Sequence, residues 1–171
     1  MLVNVIIIFI VFVLLIFLSM IWPPDSPWAP WWRTNTKTAK AICKLAKISS
    51  KDVVYDLGCG DGEVLIQTGK LGAKGVGIEI DPIRVWIAIL RIKKNNLERK
   101  VIIKKDNFFK ENISEATVVI VYLVPVALKK LLPKFKKELK KGTKIVSFIY
   151  DIEDQKPQLI DKENRLKLYI I

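Results

Sequence analysis

Chemistry in this 171-residue chain concentrates in Val54-Tyr55-Asp56-Leu57-Gly58-Cys59-Gly60-Asp61-Gly62. An apolar run carrying one aspartate meets three alternate glycines, which reads as a strand entering a tight turn and then a helix. Doubly wound sheets bind ligands at this carboxyl end of their strands. Three features narrow the ligand. The spacing is G-x-G-x-G, and Glu63 stands near where a dinucleotide fingerprint has its last glycine. Asp56, two residues before the turn, would repel a pyrophosphate and attract an ammonium or sulfonium. Glu79 follows Gly58 by 21 residues, the usual place for a carboxylate that accepts both ribose hydroxyls. The combination points to S-adenosyl-L-methionine and away from a nicotinamide dinucleotide. The alternative is a glycine turn that only lets strand and helix pack closely.

Two later blocks extend the candidate site. Asp106-Asn107-Phe108-Phe109 offers acceptors for an adenine amino group and an aromatic face beside the ring, or else a polar turn with two core phenylalanines. Tyr122, in Val121-Tyr122-Leu123-Val124-Pro125, would line the floor where a methyl group meets its acceptor, or serve as an ordinary strand residue. No side chain stands out as a general base. With no histidine and only Cys43 and Cys59, a metal site is not expected, and neither is a disulfide framework.

The elements that must position these residues alternate along the chain. Residues 37–48 place apolar side chains three and four apart with lysines between them, an amphipathic helix. Strands are expected at 53–55, 75–80, 101–104, 117–124 and 144–150, with helices at 62–71, 82–95 and 125–139, the last interrupted by Pro133. Asp81 followed by Pro82 is a strong helix start. Residues 158–161 and 165–171 read as a closing antiparallel hairpin. This order implies an α/β, Rossmann-like, doubly wound and mainly parallel seven-stranded sheet with a C-terminal antiparallel hairpin.

The N-terminus has a different composition. Residues 1–22 contain no charge, and only Asn4 and Ser19 are polar. At about 1.5 Å per residue such a helix reaches roughly 33 Å, which predicts a transmembrane helix. A cleaved signal peptide would want a basic start and a small-residue cleavage site, and the run has neither. Because every basic residue follows this segment, the positive-inside rule predicts a single-pass protein with its catalytic domain in the cytoplasm and membrane lipid as a partner. Residues 23–33 hold four prolines and read as a stiff linker. Trp22, Trp28, Trp31 and Trp32 are expected at headgroup level, with an aromatic wall around a ligand as the alternative. Residues 34–171 form the expected catalytic domain.

The 29 basic residues against 17 acidic ones give a net charge of +12, and the 51 % hydrophobic content excludes disorder. Eight lysines and one glutamate lie in residues 129–144, and seven basic residues and one glutamate in 91–105. Solvated helix faces, an anionic membrane surface and nucleic acid all fit such a balance.

From Thr34 onward the chain resembles the small seven-β-strand protein-lysine methyltransferases of archaea, whose mitochondrial relatives modify inner-membrane proteins. The features that carry the resemblance are the glycine block, Gly77-Ile78-Glu79-Ile80-Asp81, Asn107-Phe108-Phe109, residues 114–119 and residues 137–143. It implies that Gly58 and Gly60 approach the methionine moiety, Asp56 supports it, Glu79 holds the ribose, Asn107 meets the adenine amino group and Thr34 lies near the cofactor. The chain departs from the family pattern at Gln155, where tryptophan is usual, and at Asn35, where proline is usual. Lysine ε-amino groups of proteins, including membrane-associated ones, are the implied acceptors. The alternatives are an RNA or DNA base methyltransferase and a catalytically silent, membrane-tethered cofactor-binding protein. Residues 121–125 lack the Asn-Pro-Pro-aromatic block common in nucleobase amino methyltransferases.

Overall fold

The computed structural model describes residues 2–21 and 32–171. Five short apolar runs form the parallel strands β1 (Val53–Leu57), β2 (Lys74–Glu79), β3 (Val101–Lys105), β4 (Val118–Val121) and β5 (Lys144–Phe148). Two more, β6 (Leu159–Asp161) and β7 (Leu166–Ile170), pair antiparallel with each other, and β7 pairs antiparallel with β5. The sheet order is β3-β2-β1-β4-β5-β7-β6, so the chain leaves β1 first toward one edge and then returns beside β1 to build the other. That reversal between β1 and β4 is the switch point where ligands of such sheets bind.

Strand alternation divides the core into two layers. Tyr55, Leu57, Val119, Val121 and Ile145 point to one face, where Leu128, Leu131 and Phe135 of α5 (Pro125–Glu138) cover them. Val54, Val118, Ile120 and Val146 point to the other, under Ala39, Ile42 and Cys43 of α2 (Thr36–Leu45). A third cluster joins Leu65 and Ile66 of α3 (Glu63–Lys70) to Ile92 of α4 (Pro82–Lys94) and to Val101. Local chemistry starts the helices where they are needed. The Asp81 carboxylate accepts from the backbone N–H groups of Ile83 and Arg84 at 2.8 and 3.0 Å, and the Asn35 side chain accepts from Thr38 at 2.8 Å.

β1 runs two residues past the expected 53–55, to Leu57, and three later elements also differ from the sequence expectation. β4 stops at Val121, because Pro125 opens α5 and holds Val124 extended as its N-cap. β5 stops at Phe148, because Ile149 turns to a positive φ of 71°. α5 runs through Pro133 without interruption: the proline is exposed, so the Lys129 carbonyl it leaves unmatched lies on the solvated face.

The N-terminal expectation requires correction. Residues 2–21 are helical, α1 (Leu2–Ile21), and its described side chains are exposed. Among the described residues no helix is long and apolar enough to cross a membrane. The single-pass anchor, its lipid contact and the cytoplasmic orientation that rested on it do not stand. Trp22, Trp28, Trp31 and most of the proline-rich linker lie outside the described residues.

Close packing beneath the glycine turn gives a test of the fold. A Cβ on Gly77 would come within 2.5 Å of Leu65 Cδ1, 2.7 Å of Cys59 Sγ and 2.9 Å of Ile103 Cδ1. Leu65 and Ile103 can give at their tips, but the short Cys59 side chain cannot move without its turn. Gly77→Ala is expected to lower stability by roughly 1–3 kcal/mol, read by urea denaturation. An unchanged midpoint would show that the packing there is loose.

Candidate cofactor site

β1 delivers Asp56 and then Gly58, Gly60 and Gly62, all at positive φ (82°, 54° and 76°), so the chain turns sharply with open backbone. Any other L-residue would be strained at these angles. The Gly58 and Cys59 N–H groups donate to the Ile78 carbonyl at 2.8 and 3.1 Å, fixing the turn to β2. Glu79 completes the attachment: its Oε2 accepts from Gly60 N at 2.9 Å, and its Oε1 from Ile80 N and Asp81 N at 3.0 Å each. The Arg84 guanidinium lies 3.9 Å away.

A cleft opens above this turn, lined by both predicted and unpredicted residues. Of the residues singled out by sequence, Thr34, Asp56, Gly58, Gly60, Glu79, Phe108 and Tyr122 border it. Asp106 and Asn107 lie in the turn after β3 and do not. Their side chains fold onto their own backbone, Asp106 Oδ1 accepting from Asn107 N at 2.6 Å and Asn107 Oδ1 from Phe109 N at 3.0 Å. Sequence reasoning missed Trp32 as a cleft residue in its main reading, and missed Asp61, Glu63, Arg84 and Phe148 altogether. Asp61 and Glu63 were legible as acids inside the glycine block. Phe148 carried no signal beyond its place at a strand end.

The site's electrostatics follow from burial. Asp56 is buried, and desolvation, helped by the charges of Glu79 and Asp61, pushes its carboxyl up to about 7. Burial likewise holds the Cys59 thiol well above its ordinary range, with Asp56 and Glu79 adding to the effect. Glu63 behaves oppositely. Hydrogen bonds from Thr36, Arg91 and Gln67 overcome desolvation and hold it below the usual carboxylate range. On the far wall Tyr122 packs against Phe148 with ring centroids 4.4 Å apart, and burial raises its phenol.

A profile of the ANTKMT methyltransferase domain matches residues 56–159, from Asp56 in the glycine block to the start of β6. The chain belongs to this family. A protein-lysine N-methyltransferase of Saccharolobus islandicus is 40 % identical over 145 residues, covering 84 % of this chain and 88 % of that protein. A lysine N-methyltransferase of Xenopus laevis, named for ATP synthase, is 25 % identical over 118 residues, and this chain spans 52 % of its length. A crystal structure of an RNA methyltransferase from Salinibacter ruber, bound to S-adenosyl-L-homocysteine, matches with a TM-score of 0.79 and 36 % identity. The match covers 82 % of this chain and 94 % of that one. The protein is an S-adenosyl-L-methionine-dependent methyltransferase.

The raised Asp56 carboxyl gives the methyltransferase a stability signature. Between 3.8 and about 7 the folded state binds a proton that the unfolded state has released. Its contribution therefore falls as pH rises through that window, by an amount on the order of a few kcal/mol. Asp56→Asn removes this dependence, so the variant should gain on the wild type between pH 4 and pH 8, measured by urea unfolding. An equal gap at both pH values would show that Asp56 is not the source.

Proposed function

We propose that this methyltransferase transfers the methyl group of S-adenosyl-L-methionine to lysine ε-amino groups of proteins, using residues 34–171 as its catalytic unit. The observation that carries the reading is the 40 % identity, over most of both chains, to a protein-lysine N-methyltransferase. The acceptor wall agrees with it: Trp32, Tyr122 and Phe148 are aromatic, suited to an aliphatic chain ending in an amine.

The residues present fit the cofactor. Gly58 and Gly60 offer side-chain-free backbone at the turn, and an added Cβ at Gly58 would meet Leu123 at 3.5 Å. Asp56, buried beside that backbone, suits the ammonium of the methionine moiety, and the ligand's positive charge would favour its ionised form. Glu79 is held by three backbone N–H groups with its carboxylate on the cleft, placed to accept from the ribose hydroxyls. Phe108 provides the face beside the adenine, while Asp106 and Asn107 lie outside the cleft in the turn after β3.

When bound, S-adenosyl-L-methionine supplies an electrophilic methyl on a good leaving group, so alignment and exclusion of water do most of the remaining work. Tyr122 and Phe148 shape the approach opposite the donor. Their apolar surface lowers the pKa of an entering lysine, favouring the neutral nucleophilic amine. Burial keeps the nearby Cys59 thiol protonated, so it does not compete for the methyl group.

The RNA reading has one observation in its favour, the Salinibacter ruber neighbour named as an RNA methyltransferase. Tritiated methyl donor incubated with enzyme and cell extract separates the two. Ribonuclease-resistant label recovered as methyl-lysine after acid hydrolysis is expected. Ribonuclease-sensitive label recovered only as methylated bases would replace the lysine reading with the RNA one. For the cofactor roles, Glu79→Ala should weaken S-adenosyl-L-homocysteine binding by roughly 1–3 kcal/mol in calorimetric titration. Unchanged affinity would remove Glu79 from the site.

A further inference from the structure

The short segment before α2 is extended, and alternate residues take opposite roles. Trp32 and Thr34 border the cofactor cleft, while Arg33 reaches Asp61 of the glycine turn, its Nε 2.7 Å from Oδ2. The same Oδ2 receives Arg91 of α4 at 2.7 Å, and the Arg91 side chain also donates to the Asp61 carbonyl at 2.8 Å. The other arm of Arg91 is bonded to Glu63 Oε2. Glu63 Oε1 in turn accepts from Thr36 Oγ1 and Gln67 Nε2, each at 2.9 Å. The result is an alternating chain, Arg33–Asp61–Arg91–Glu63–Thr36, that closes on the segment it started from.

We infer that Arg91 is a positioning residue for methyl-donor binding: through Asp61 and Glu63 it fastens residues 32–36 to the glycine turn, holding Trp32 and Thr34 as a wall over the bound cofactor. This rests on the cofactor site proposed above. Arg91 does not border the cleft, so its effect passes through the two acids. It is the member of the network that joins both acids, and only a planar fork can do so while also donating to the Asp61 carbonyl. Arg33 alone would be a weak tether, since its side chain is 62 % exposed and such pairs contribute little. Sharing Asp61 with the more sheltered Arg91, 26 % exposed, makes the attachment part of a network.

The test is a double-mutant cycle read by calorimetric titration of S-adenosyl-L-homocysteine. Trp32→Ala should weaken binding about fivefold in the wild-type background and less than about twofold in Arg91→Gln, because the wall is already released. Arg91→Gln alone should weaken binding about tenfold. Arg91→Lys should not restore it, because one ammonium cannot make the three contacts, whereas a role in charge balance alone would be restored. Arg33→Gln, at an exposed side chain, covers the case in which Arg91→Gln does not fold, and its cycle with Trp32→Ala must show the same non-additivity. Additive effects in both cycles, or full rescue by lysine, would overturn the inference. Failure of the wild type to bind S-adenosyl-L-homocysteine would instead overturn the cofactor site beneath it.

Discussion

One carboxylate holds the site together. Glu79 leaves β2 and accepts three backbone N–H groups, one from the glycine turn after β1 and two from the approach to α4. Its side chain is 4 % exposed, and an ion so buried is tolerable only because those donors and the neighbouring Arg84 guanidinium replace its water. The turn that opens backbone to the cofactor and the N-cap that starts α4 are thus set by the same residue's surroundings. The carboxylate that lines the cleft thus also fixes the geometry of the turn beside it, so cleft shape and local folding are coupled at this position.

The four acids around the turn then divide by partner. Asp56 and Glu79 lie at strand ends, one raised by burial and the other held by the backbone. Asp61 and Glu63 also touch the cleft, but their oxygens are engaged by Arg33, Arg91, Thr36 and Gln67. On the function proposed above, a cationic donor entering the cleft meets one carboxyl that burial holds protonated more readily than usual, and that the donor's charge would favour ionising, and one already ordered by the backbone. The other two acids serve chiefly to attach the N-terminal segment. Composition alone could not assign these roles, since all four are acids between β1 and the end of β2.

That division marks where sequence reading succeeds and where it stops. Asp56, the glycines and Glu79 were legible because a strand, a glycine turn, a helix and a second strand fix their spacing. Asp81 and Pro82 fixed the start of α4 by local capping. β4 and β5 were read too long, because the apolar runs of residues 117–124 and 144–150 continue past the points where Pro125 and the positive φ of Ile149 bend the chain. The clamp was not legible: Arg33 and Asp61 are 28 residues apart, and Asp61 and Arg91 a further 30, with no local pattern linking them. Length and hydropathy of residues 1–22 suggested a membrane span, which the described helix does not support.

On the function proposed above, acceptor choice belongs to a different set of elements from donor binding. The donor side would be assembled from the ends of β1, β2 and β3. The opposite side is assembled from residues 32–36 and the ends of β4 and β5. There Ile149 holds a φ of 71°, costly for a β-branched residue, and several contacts enforce it. Its N–H donates to the Arg165 carbonyl at 2.8 Å, and the Ser147 hydroxyl donates to the Tyr150 carbonyl at 2.6 Å. This turn follows directly from Phe148, whose ring meets Tyr122. Strain is retained where it aims a side chain, and here it sets Phe148 against Tyr122 on the cleft wall. Substitutions that change the acceptor are therefore expected at this bend and in the N-terminal wall, while the glycine turn and Glu79 stay fixed by the donor.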